Sequence, residues 1–74
     1  MKSLVETKVV FDKEYFNELR KEKNMKINKL SLLTGICIDR ISKYKNGHST
    51  PSADSLYKIA LVLDTTMEDL LKEV

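Results

Sequence analysis

Residues 27–46, INKLSLLTGICIDRISKYKN, decide how this chain folds, because apolar spacing, a glycine in mid-segment and a run of positive charge coincide there. Ile27, Leu30 and Leu33 recur at helical intervals. After an interruption at Gly35, Cys37, Ile41 and Tyr44 repeat the pattern. The spacing predicts two short helices, roughly 27–34 and 38–45, joined by a tight turn. Glycine takes a positive φ without a Cβ penalty, so Gly35 fits the place where the first helix stops and the chain reverses. Ile36 is then placed to plug the angle between the two helices. Stepping residues around the second helix by about 100° gathers Cys37, Ile41 and Tyr44 inward. Asp39, Ser42, Lys43 and Asn46 point outward, with Ile38 on the flank. Cys37 reads as a small buried hydrophobe, since no activating base stands beside it.

These residues sit within a longer ordered set: Leu30-Ser31, Gly35-Ile36, Ile41-Ser42-Lys43, Asn46-Gly47, Pro51-Ser52, then Ala60, Leu63 and Thr66-Met67-Glu68-Asp69-Leu70. In that order the chain resembles the helix-turn-helix proteins of the phage-repressor type, Xre or Cro-like, from about Leu19 to Leu71. The resemblance implies an all-α, compact five-helix lambda-repressor-like domain. In such domains the second motif helix enters the DNA major groove and the first lies across the backbone. Several positions depart from the family pattern. Ile27 stands where a glutamine often touches DNA, so that polar contact does not carry over. Lys26 replaces a common Ser or Thr, Lys45 a common glutamate and Asp64 a usual glycine; Ser31 is small where alanine is frequent.

The outward set suits a groove. Lys43 can donate to a guanine edge, Asn46 and Ser42 can donate or accept, and Ile38 can meet a thymine methyl. Asp39 has two readings: the helix dipole favours an acid in the first turn, and an acid facing DNA can accept from cytosine's amino group. Lys26, Asn28 and Lys29, with the free N–H groups of the first motif helix, are candidate phosphate contacts. So are Arg40 and Lys45 on the flanks, and His48 and Ser49 in the loop that in the family touches the DNA backbone. A solvated helix end or turn accounts equally well for Lys29, His48 and Ser49.

Charge is segregated along the chain. Residues 20–48 hold eight positives (Arg20, Lys21, Lys23, Lys26, Lys29, Arg40, Lys43, Lys45) against Glu22 and Asp39, a local net of +6. Residues 49–74 net −3 and residues 1–19 net −1, giving +2 for the chain. Solvated helix faces explain single lysines. The segregation instead marks a surface that meets a polyanion.

Seventy-four residues make one small domain. With 42% apolar residues, no run of membrane-spanning length and no signal-like start, the chain is expected in the cytoplasm and off the membrane. One cysteine allows no internal disulfide, and neither a metal-ligand spacing nor a cofactor motif is present. His48 has no nucleophile or orienting group to work with, so an enzyme is not expected.

Outside the motif, residues 1–11 alternate, with Val5, Thr7, Val9 and Phe11 on one face of an extended segment able to form a strand and Glu6 and Lys8 on the other. No second strand-like run offers it a partner. Three arrangements stay open: an antiparallel ribbon with the same segment of a second subunit, an arm carrying Lys2 and Lys8 along DNA, or packing against its own helices. Residues 12–74 form the remaining unit. Asp12 caps a first helix running to about Lys23, Phe11 packs on Phe16 as a hydrophobic staple, and Tyr15, Phe16 and Leu19 make the buried stripe. Asn24 suits the left-handed exit. Ser52 caps a fourth helix burying Leu56, Ile59, Ala60 and Leu63, with Tyr57, Leu61 and Val62 as candidates for a further face. Thr66 and Asp69 resemble the start of a fifth, whose Met67, Leu70, Leu71 and Val74 serve either the core or a second subunit.

The expected function is a sequence-specific, double-stranded-DNA-binding transcription regulator, a repressor by promoter occupancy. Each good base contact discriminates by about 1–3 kcal/mol, so useful specificity asks for a homodimer on half-sites about 34 Å apart. The alternative from another class is an antitoxin or mobile-element accessory protein whose main partner is a protein.

Overall fold

Asp12 starts the first helix: its carboxylate accepts the Tyr15 N–H at 3.1 Å, satisfying a donor that a helix start leaves unpaired. In the computed structural model, which describes residues 7–74, the order is β1 (Val9–Phe11), α1 (Lys13–Glu22), α2 (Ile27–Thr34), α3 (Ile38–Asn46), α4 (Ala53–Val62) and β2 (Leu71–Glu73). Phe11 and Phe16 meet with ring centroids 5.3 Å apart, the expected staple. Asn24 leaves α1 at φ 53°, and Asp64 takes the same left-handed conformation, φ 54°, after α4. A glycine would adopt that conformation without strain, which is the cost of having Asp64 there.

Phe16, Leu30, Ile41, Ile59, Leu63 and Leu70 are fully buried, so every helix and the C-terminal turn contribute to one core. Burying each such side chain stabilises the fold by about 1.5–3 kcal/mol. Helix α2 packs against both α3 and α4, and α1 packs against α3. Tyr15 adds a polar link, its hydroxyl 3.1 Å from that of Thr65 beyond α4.

The expected fifth helix does not form; the described residues make four helices and a two-stranded antiparallel sheet. Thr66 does accept the Asp69 N–H at 3.1 Å, as a helix cap would. The chain then makes two tight i to i+3 bonds, Leu70 N–H to Met67 O and Leu71 N–H to Glu68 O, and straightens. Val9 pairs with Glu73, Val10 with Lys72 and Phe11 with Leu71. Asp12 N–H donates to Leu70 O at 2.8 Å and Val74 N–H to Lys8 O at 3.0 Å, extending the ladder at both ends. Physically, two terminal segments each had unmatched backbone groups, and pairing them satisfies both. So few residues could not have sustained an isolated helix.

That pairing also corrects the expectation that the N-terminal segment lacks a partner within its own chain. One edge of β1 is taken by β2, so the ribbon loses that edge, and Leu71, expected in a helix-five interface, lies in β2 instead. The parts of the expected strand and arm that involve Lys2, Val5 and Glu6 lie outside the described residues.

Candidate nucleic-acid interface

The turn between α2 and α3 is knitted by four hydrogen bonds. Gly35, at φ 78°, closes α2 with its N–H on Ser31 O at 2.9 Å. The Thr34 hydroxyl donates to Leu30 O at 2.7 Å and accepts the Ile36 N–H at 3.2 Å. The Ser31 hydroxyl donates to Ile36 O at 2.6 Å. Ile36 is buried between the helices, as its sequence position implies.

Two apolar assignments change. Leu33 is 53% exposed, and buried Thr34 takes the inward place because its hydroxyl is fully satisfied there. Cys37 is exposed. It precedes α3 with an extended backbone, φ −65° and ψ 151°, so the helical wheel that placed it inward does not apply to it.

Ile41 and Tyr44 anchor α3 to the core. Opposite them, Asp39, Lys43 and Asn46 are exposed, Ser42 is half-buried and Ile38 is 48% exposed. Among the described residues, the side chains of Asp39, Ser42, Lys43 and Asn46 make no hydrogen bond or ion pair with the protein. Gly47 ends the helix at φ 79°, its N–H on Tyr44 O, and His48 N–H reaches back to Lys43 O.

Lys26, Asn28, Lys29, Arg40, Lys45, His48 and Ser49 are all exposed. Lys26 and Asn28 stand at the start of α2, where no side chain caps the helix and its first N–H groups stay open to an anion. Lys45 keeps its ammonium outward, while its carbonyl accepts the Asn17 amide at 3.3 Å. Arg20 is different from the other cations of this segment. Its guanidinium lies 5.5 Å over the Phe16 ring and donates to Met25 O and to Asn17 Oδ1 at 2.8 Å. Burial lowers its pKa, and its Nε is buried without a partner. Arg20 therefore serves packing, and the other basic side chains of 20–48 carry the surface charge.

Among the described residues the ion pairs lie elsewhere: Lys58 with Asp54 along α4, and Lys72 of β2 with Glu14 at 3.1 Å and Asp12 at 3.9 Å. Lys72 thereby holds down two acids at the start of α1. Lys13, which no motif or spacing singles out, crosses Gly47. A Cβ built there would lie 3.0 Å from the Lys13 Nζ. Beside it a cleft of about 310 Å³ is lined by Val10, Phe11, Lys13, Glu14, Gly47, Ser49, Thr50 and Lys72. Among the described residues no cluster of His, Cys, Asp or Glu is arranged to hold a metal ion, and no helix is long and apolar enough to cross a membrane.

Comparison with known proteins adds two findings. A family model described as a helix-turn-helix domain matches residues 14–74. The HTH-type transcriptional regulator AnsR of Bacillus subtilis (strain 168) is 37% identical over 54 residues, which cover 73% of this chain and 47% of AnsR. The chain thus spans about half the length of that relative.

Proposed function

The chain belongs to the helix-turn-helix family, and from that membership we propose that it is a sequence-specific, double-stranded-DNA-binding transcription regulator acting as a repressor. One observation carries the reading: the side of α3 away from Ile41 and Tyr44 is open, unpaired and bordered by lysines, while a bonded turn at Gly35 fixes its angle. Such a helix fits the major groove. Ile38, Asp39, Ser42, Lys43 and Asn46 read base edges. Lys26, Asn28, Lys29, Arg40, Lys45, His48 and Ser49 hold the backbone and set the register. AnsR, the relative described above, is a transcriptional regulator, which supports this reading.

Two copies on adjacent half-sites supply the specificity that one short helix lacks. With about three to five phosphate contacts per subunit, a dimer should lose affinity about 10³- to 10⁵-fold between roughly 50 and 200 mM salt. A titration on duplex DNA across that range tests the reading. Absence of binding even at the low end would remove it.

A second reading keeps the fold and gives it a protein partner, as in an antitoxin or a mobile-element accessory subunit. Leu32 at 82% exposed and Leu61 at 62%, on the mutually packed helices α2 and α4, are the apolar side chains that such a partner would cover. The same titration separates the two: salt-insensitive or absent DNA binding points to the protein partner.

A further inference from the structure

We propose that Lys13, at the start of α1 and outside the motif, contacts a DNA phosphate next to the last base-reading position. The inference rests on the DNA-binding reading and extends it to an element remote in sequence from the reading helix.

Three observations carry it. The side chain is laid across Gly47, where a Cβ would come within 3.0 Å of Nζ and 3.2 Å of Cδ, so the bare backbone there lets the ammonium reach the α3–α4 loop. Gly47 follows Asn46 directly, one Cα step of about 3.8 Å. The ammonium therefore belongs to the end of α3 that leads into His48 and Ser49. Next, Lys13 closes no ion pair with an acid, the attraction between its charge and Glu14 being the weakest of the effects on that carboxyl. The neighbouring carboxylates, Asp12 and Glu14, are bonded to Lys72, and among the described residues Lys13 enters no ion pair. Finally, Lys13 lines the cleft between the start of α1 and the 47–50 loop along with Ser49 and Thr50, residues whose hydroxyls can donate to an anionic oxygen. Its carboxylate, Glu14, is neutralised by Lys72 at 3.1 Å.

A cation near a helix C-terminus also favours the last carbonyls through the helix dipole. That role acts on folding, whereas a phosphate contact acts on binding and its salt dependence, so one experiment distinguishes them. Fluorescence anisotropy would compare the wild type, Lys13→Met, Lys13→Arg and, as a distant control, Lys58→Met on several duplexes of different sequence, across about 50 to 200 mM KCl. Methionine keeps an unbranched stem over Gly47 and removes the charge. Lys13→Met should weaken all duplexes alike by about three- to tenfold, as the loss of one exposed charge-assisted contact implies. Its plot of log affinity against log salt should flatten by about 0.9 per subunit. Lys13→Arg should restore both, and Lys58→Met should leave both unchanged. A wild-type slope in Lys13→Met overturns the proposal, even if its melting temperature falls, because the lysine would then serve only the fold. A wild type that binds no duplex at the lowest salt overturns the DNA reading itself, a result distinct from the first.

Discussion

The Ser31 hydroxyl donates to the Ile36 carbonyl at 2.6 Å, tying the middle of α2 to the residue that launches α3. The bond crosses the turn, so it helps set the angle at which the second motif helix leaves the first. With the Thr34 hydroxyl bonded at both ends, the turn is held by side chains as well as by its glycine. A reading helix needs that rigidity, because base contacts fail when the helix tilts.

Removing these bonds should therefore cost stability unequally. Ser31→Ala removes a part-buried hydrogen bond and should lose about 0.5–1.5 kcal/mol. Thr34→Val strands the buried Ile36 N–H and should lose about 1–3 kcal/mol. Urea unfolding followed by circular dichroism gives both values. An equal loss would mean that the Thr34 hydroxyl is not the main tie.

Gly35 and Gly47 share a left-handed backbone, φ 78° and 79°, yet differ in surroundings. Nothing lies within 4 Å of a Cβ at Gly35, so Gly35→Ala should lose only the backbone strain of about 1–2 kcal/mol. Gly47→Ala bears the same strain and asks the flexible end of the Lys13 side chain to shift by only a few tenths of an ångström. It should match Gly35→Ala in thermal denaturation to a first approximation. On DNA it should keep the wild-type salt slope, because the Lys13 charge is still present.

Much of this architecture was legible in the residues. Asp12, Asn24, Gly35 and Gly47 each announce a local conformation that only a few residue types adopt, and Phe11 with Phe16 announces the staple. What was not legible depends on partners distant in sequence. Leu71, Lys72 and Glu73 include good helix formers, and only the unpaired backbone of β1 converts them to a strand. Cys37 was misplaced because a wheel drawn one residue too early treats a cap as helix. Arg20 looks like any other cation of the motif until Phe16 and Met25 enclose it. Of the candidate interface, the outward set of α3 follows from its apolar period. The position of Lys13 over Gly47 requires the packing of α1 on α3 and leaves no trace in spacing.

The link between the sheet and α1 should be visible as pH falls. Glu14 has its carboxyl pKa lowered from the ordinary 4.5, first by a hydrogen bond from its own backbone and then by the bond to Lys72. On acidification the unfolded chain takes up that proton before the folded one does. The stability from Glu14 is thus complete above 4.5 and disappears as pH drops below it through the lower folded value. Glu14→Gln should flatten the melting temperature against pH in that window. Parallel curves for variant and wild type would show that Glu14 contributes nothing there.

Selection of bound sequences from random duplexes, run in parallel on the wild type, Lys43→Ala and Lys29→Ala, tests most directly whether the open side of α3 reads bases. Base reading by that side predicts that the wild type enriches a motif of two symmetric half-sites centred about 10 base pairs apart. Lys29→Ala should enrich the same motif with weaker binding throughout, whereas Lys43→Ala should lose preference at matching positions in each half-site. An unchanged motif from Lys43→Ala, or no motif from the wild type, would contradict it.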